Sequence, residues 1–163
     1  MNNRRNFLKQ AGLLTAAAAI LSPSQIFAQK NPSNAKRVNG SKKMELSFVP
    51  YDAQMRHVFT IANSSRTTTP IVLTKITYDG YTGYGEAAMP PYLGETQASV
   101  IEFLKKVNLA QFSSPFLIED IMTYVDAIAI NNTAAKAAVD IALHDLVGKM
   151  IGQPWWKIWG FDP

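Results

Sequence analysis

From Met44 onward, the strand-forming sequence lies before Pro90-Pro91 and the helix-forming sequence lies after it. Strands followed by helices, with no alternation between them, lead to an α+β layer arrangement and exclude a doubly wound parallel sheet. Met44 to Tyr51 alternates apolar and polar residues over its first half, as a half-buried strand does, and Pro50 places it at a sheet edge or strand end. Residues 52–66 are polar and mixed and read as a loop, with Phe59 and Ile61 as isolated apolar members. Thr67 to Tyr78 is dense in β-branched residues, which favour strands. Asp79-Gly80 is a tight hairpin turn, and Tyr81 to Ala88 returns as a third strand. The expected sheet is a three-stranded antiparallel meander.

Beyond the prolines the period becomes helical. Thr96 is an N-cap, and Val100, Ile101, Phe103, Leu104 and Val107 form an apolar stripe. A second helix spans Leu117 to Ala129, with Ile118, Ile121, Met122, Val125 and Ile128 facing in. Asn132 or Thr133 caps the third and longest, which runs to about Ile151 and buries Ala135, Ala138, Val139, Ala142, Leu146 and Met150. Its alanines permit close packing against a neighbour. Gly152 stops it, and Pro154 begins a short turn carrying Trp155, Trp156 and Trp159. The whole is a meander followed by a helical bundle.

Charge separates the first 43 residues from the rest. They hold eight basic residues and no acid, whereas 44–163 holds eight basic residues against 12 acids. The overall charge of +4 therefore belongs to the leader, and the body offers no basic patch for nucleic acid. Residues 1–28 read as a signal peptide. Its apolar run, Ala11 to Leu21, is too short to span a bilayer, which needs ~20 residues. Asn3-Arg4-Arg5-Asn6-Phe7-Leu8-Lys9 resembles the twin-arginine signal, departing at its first position. It implies the twin-arginine export machinery as a partner and a periplasmic location. Residues 29–43 read as a flexible linker, and 44–163 as the folded domain.

Little in the body suggests assembled chemistry. There is no cysteine, which excludes disulfides, thiolate metal sites and a cysteine nucleophile. Gly80, Gly83 and Gly85 lie in a strand with prolines after it, not ahead of a helix, so a phosphate loop is excluded. His57 and His144 lack ligand spacing, and Asp140 and Asp145 fall on different faces of one helix. Asp140 and Asp145 then serve as surface charge or as helix-packing hydrogen bonds. The tryptophans at 155, 156 and 159, with Phe161, need something to bury against: either the helices, or a further domain.

Ala135 to Lys149, with Pro154 and Gly160, resembles the helix signature of the mandelate racemase/muconate lactonizing group of the enolase superfamily. It departs at Trp155 and Trp159, where that group has smaller aliphatics. The resemblance extends through Thr82–Ala88 and Tyr92–Thr96 and is greatest to the dipeptide epimerases. It implies that 44–163 is an enolase-like N-terminal capping domain, with the catalytic TIM barrel absent from this chain. In that family the barrel supplies Mg²⁺ ligands and two lysines that move the α-proton of a dipeptide, so the chain as given carries no catalytic residue and no metal ligand and is expected to be inactive alone. The cap contributes specificity through two loops, about His57–Arg66 and Ala88–Tyr92. By position Ile61 and Arg66 face the substrate, and Met89 and Tyr92 line the second loop. The alternative for Arg66 is a solvated loop charge, and for Ile61 a minor core residue. Implied partners are a dipeptide substrate, the missing barrel and, for the full-length enzyme, further copies of itself. Two other functions fit the same sequence: a standalone exported peptide-binding or interaction module, and the cap of a cycloisomerase or o-succinylbenzoate synthase.

Overall fold

The computed structural model describes residues 42–61 and 64–161. The expected leader, and the linker apart from Lys42 and Lys43, lie outside the described residues. Three strands, β1 (Glu45–Ile61), β2 (Ser64–Tyr78) and β3 (Tyr81–Ala88), form one antiparallel sheet in the order β1-β2-β3. The meander is as expected, and Asp79 and Gly80 both take positive φ (46° and 81°), the geometry a two-residue hairpin needs. The stretch 52–66 is not the loop its composition suggests. β1 and β2 continue through it as a two-stranded ribbon extending past β3, whose last pair with β2 is Ile71↔Ala88. β1 does alternate here, with Tyr51, Ala53 and Met55 half-buried against exposed Asp52, Gln54 and Arg56, but none of these residues is fully buried and the polar composition of the stretch hides the pattern.

Helices follow the sheet: α1 (Gln97–Leu104), α2 (Ile118–Ile128), α3 (Thr133–Ile151) and the short α4 (Trp155–Ile158). Thr96 caps α1 as expected, through a reciprocal box in which Ser99 N donates to Thr96 Oγ1 and Thr96 N donates to Ser99 Oγ. The helix closes at Leu104, so Val107 is buried just beyond it. Asn132 holds the N-cap position of α3 in the left-handed region (φ 55°), but its side chain donates to Ile130 O and caps nothing. Gly152, at φ 66°, ends α3.

α3 is the central helix, packed on β3 and β2 to one side and on α1 and α2 to the other. Ala134, Ala135, Ala138, Val139, Ala142, Leu143, Leu146 and Val147 are buried along it. Val72, Ile76 and Ala87 meet them from the sheet, and Phe103, Leu104, Ile121 and Val125 from the other helices. The two strand glycines permit this closeness. A Cβ on Gly83 would stand 2.1 Å from Ala142 O, and one on Gly85 2.0 Å from Ala138 O. Helix and strand backbones touch there, and any side chain would push them apart. Buried Thr74 completes the seam, its hydroxyl donating to Ala138 O at 3.0 Å.

Candidate functional site

The two segments singled out in the sequence flank the start of α1. The first is the free ribbon. β1 and β2 pair regularly from Glu45↔Thr77 to Gln54↔Thr68, then resume at Phe59↔Arg66. Met55 to Val58 therefore bulge opposite Thr67, and His57 lies exposed in that bulge. Gln54 Nε2 donates to Thr67 O (2.9 Å) at its near side, and Thr60 Oγ1 and Ser65 Oγ hydrogen-bond (2.9 Å) beyond it. Arg66 is half-buried, with its guanidinium carbon 5.2 Å from the centre of the Phe59 ring. Its Nε is buried with no acceptor, and among the described residues no carboxylate pairs with the guanidinium. Phe59 thus covers one face of the cation and fixes its direction. Ile61 is 50% exposed at the far end of β1.

The second segment follows β3. Met89 is 5% exposed and belongs to the main core cluster. Pro91–Leu93 forms a short 3₁₀ turn on which Tyr92 is 85% exposed, and Gly94 (φ 66°) reverses the chain. Of the four residues singled out, Arg66, Ile61 and Tyr92 reach the surface and Met89 lies beneath it. Among the described residues no hydrogen bond or ring contact joins the ribbon pair to Met89 or Tyr92.

Just after the second segment, two residues to which the sequence reading gave no role tie it to the rest of the fold, Glu95 to α3 and Gln97 to the base of the ribbon. Glu95 Oε1 accepts from Thr133 Oγ1 (3.0 Å) and Ala134 N (3.2 Å), capping α3 where Asn132 does not. Gln97 Nε2 lies 3.2 Å from Tyr51 O, 3.2 Å from Asp52 Oδ1 and 3.1 Å from Ile71 O. Their partners are 26 to 46 positions away in the chain, so no local spacing marks either residue.

The helix carboxylates have structural partners. Asp145 accepts from Tyr84 N (2.7 Å) and pairs with Lys149, which also donates to Thr82 O (3.0 Å), so this pair clamps β3 to α3. Asp140 lies 3.0 Å from His144 Nδ1. The His144 ring packs against Trp155 (centroids 4.5 Å apart), and Trp155 Nε1 donates to His144 O. Trp155 thus folds back onto α3, while Trp156 and Trp159 remain 45% and 58% exposed. Among the described residues no three His, Asp or Glu side chains are placed to hold a metal ion, so none is assigned to Mg²⁺.

The model of the mandelate racemase/muconate lactonizing enzyme N-terminal domain matches residues 43–160. The L-Ala-D/L-Glu epimerase of Bacteroides thetaiotaomicron is 57% identical over 99% of this chain, which spans 43% of that protein's length. Among solved structures, the substrate-liganded L-Ala-D/L-Glu epimerase of Bacillus subtilis matches with a TM-score of 0.64 and 26% identity, over 71% of this chain and 33% of that one. The Enterococcus faecalis dipeptide epimerase, in complex with Mg and L-Leu-L-Tyr, matches with a TM-score of 0.62 and 30% identity, over 71% of this chain and 34% of its own.

Proposed function

The chain belongs to the mandelate racemase/muconate lactonizing enzyme N-terminal-domain family, and from that premise we propose that it is the substrate-recognising cap of a dipeptide epimerase whose chemistry is done by a barrel domain. The chain spans less than half the length of the Bacteroides relative, and the catalytic groups belong to the remainder. The barrel would hold Mg²⁺, which would offset the charge that gathers on the substrate carboxylate oxygens when the α-proton leaves. What this chain supplies is selection and exclusion of water at the barrel mouth.

One observation carries the reading: Arg66, which has no ion-pair partner among the described residues, is held on the Phe59 ring near the end of a projecting ribbon. A guanidinium with one face covered presents its terminal amino groups in a fixed fork, which matches a carboxylate through two parallel hydrogen bonds. This fits a dipeptide with an acidic second residue, such as L-Ala-L-Glu. Ile61 offers exposed apolar surface farther along the same ribbon, Tyr92 offers an exposed aromatic ring on the second loop, and Met89 supports that loop from beneath. The exposed face of Trp156, Ile158 and Trp159 fits the barrel as its cover, since large apolar side chains so grouped are rarely left in water. The Asn3–Lys9 run supports export by the twin-arginine route.

A chimera tests the reading: residues 1–163 joined to the remaining part of the Bacteroides epimerase. It is expected to interconvert L-Ala-L-Glu and L-Ala-D-Glu, while the 163-residue chain alone does not. A folded but inactive chimera, together with saturable dipeptide binding by the chain alone, would replace the cap with a binding module. Turnover of a muconate or succinylbenzoate precursor in place of dipeptides would reassign the substrate class.

A further inference from the structure

The three strands of the sheet run together only as far as Ile71, where β3 ends at its partner Ala88. From Asp52↔Pro70 outward, β1 and β2 continue alone. A two-stranded ribbon has marginal stability by itself, so its lean is set at its base. Gln97 lies at that base. Its amide nitrogen has two hydrogens and three acceptors within 3.2 Å: Tyr51 O, Ile71 O and Asp52 Oδ1. Tyr51 and Ile71 are register partners on the two strands, so one side chain holds both rails of the ribbon where the third strand stops. Two residues earlier, Glu95 ties the end of the Met89–Gly94 loop to the first turn of α3.

We infer that Gln97 is a positioning residue that fixes the lean of the β1–β2 ribbon, and hence the place of Arg66, relative to the second loop held by Glu95. The inference rests on the reading of the chain as a dipeptide-recognising cap. Arg66 stands five residues beyond Ile71, or about 16 Å at ~3.3 Å per residue. A change of lean of about 5° therefore displaces it by roughly 1.5 Å, which takes the paired guanidinium–carboxylate hydrogen bonds out of their range and weakens substrate binding.

The test pairs Gln97→Met, which keeps the length of the side chain and removes its donors, with Gln97→Lys, which restores a donor beside Asp52. In the 163-residue chain, hydrogen exchange is expected to speed up at ribbon amides 54–60 and 65–68 in Gln97→Met, with amides 72–76 and 138–147 unchanged. In the chimera, Gln97→Met is expected to raise KM for L-Ala-L-Glu about tenfold with kcat within twofold, and Gln97→Lys to recover most of that loss. Unchanged ribbon exchange in Gln97→Met would overturn the inference, as would acceleration spread over the whole body with kcat and KM moving together. If the unsubstituted chimera is inactive, the cap reading fails by itself, while the exchange comparison still decides whether Gln97 sets the ribbon.

Discussion

The same two strands behave differently on either side of Ile71. Toward Tyr78, β2 lies between β1 and β3 and beneath α3, and Val72, Thr74 and Ile76 are fully buried. Toward Ser64 the ribbon has no third strand, and Val58, Phe59 and Ile61 are exposed. The local backbone is extended in both places. What differs is whether a second layer covers it. The covered half spends its side chains on holding itself together, and the uncovered half leaves an arginine and several apolar groups for something else.

The sharpest way to break this comparison is at the glycine seam. Gly83→Ala or Gly85→Ala drives a methyl group into α3 backbone carbonyls, which cannot yield as a flexible side chain would. The expected cost is about 3 kcal/mol or more, seen as a large fall in the urea midpoint or as loss of soluble protein. A thermal midpoint unchanged by either substitution would mean that helix and sheet do not meet as described. Smaller effects are expected from the polar contacts across the same seam. Thr74→Val removes a buried hydrogen bond and should cost about 1 kcal/mol. Asp145→Ala removes the acceptor of Tyr84 N and one of the partners of Lys149 and should cost about 1–2 kcal/mol by the same urea titration.

The ribbon is expected to respond in the opposite sense. Thr60→Ala removes an exposed cross-strand hydrogen bond and should shift stability by less than about 0.5 kcal/mol. The smallest effect belongs to Glu102, exposed on α1, where the hydrogen bond from Lys105, and then its charge, hold the carboxyl below its usual range. A carboxyl lowered in the folded state stabilises above its unfolded pKa, and that contribution is lost as pH falls through the lowered value. Glu102→Gln should therefore leave the acid side of a thermal-midpoint profile unchanged and slightly lower its neutral side; a large drop would show that the pair is not solvated as described.

The covered half was legible in the sequence because burial imposes period. The β-branched run in β2, the Asp79-Gly80 turn, the Thr96 cap and the apolar face of α3 each follow from one local rule. The ribbon was not: Tyr51 to Arg56 alternates, but polar residues dominate 52–66 and no third strand or helix lies on it to bury a face, so the stretch reads as a loop. The glycines of β3 lie in a strand, as the sequence indicates, but their use as a contact surface depends on a helix more than 50 residues away. Arg66, Ile61, Met89 and Tyr92 came from family resemblance and not from periodicity. Glu95 lies in the Tyr92–Thr96 stretch that carries the resemblance, but its capping role and that of Gln97 had no local signal, since their partners are brought to them by the fold.

The account depends most on Arg66 as the recognition group of the uncovered half. In the chimera, kcat/KM for L-Ala-L-Glu and for an uncharged dipeptide such as L-Ala-L-Leu would be compared before and after Arg66→Leu. The account predicts a loss of about tenfold to a hundredfold for the acidic dipeptide, the worth of a charge-assisted hydrogen bond, with the uncharged one little changed. An equal loss for both dipeptides, or no loss for either, would contradict it.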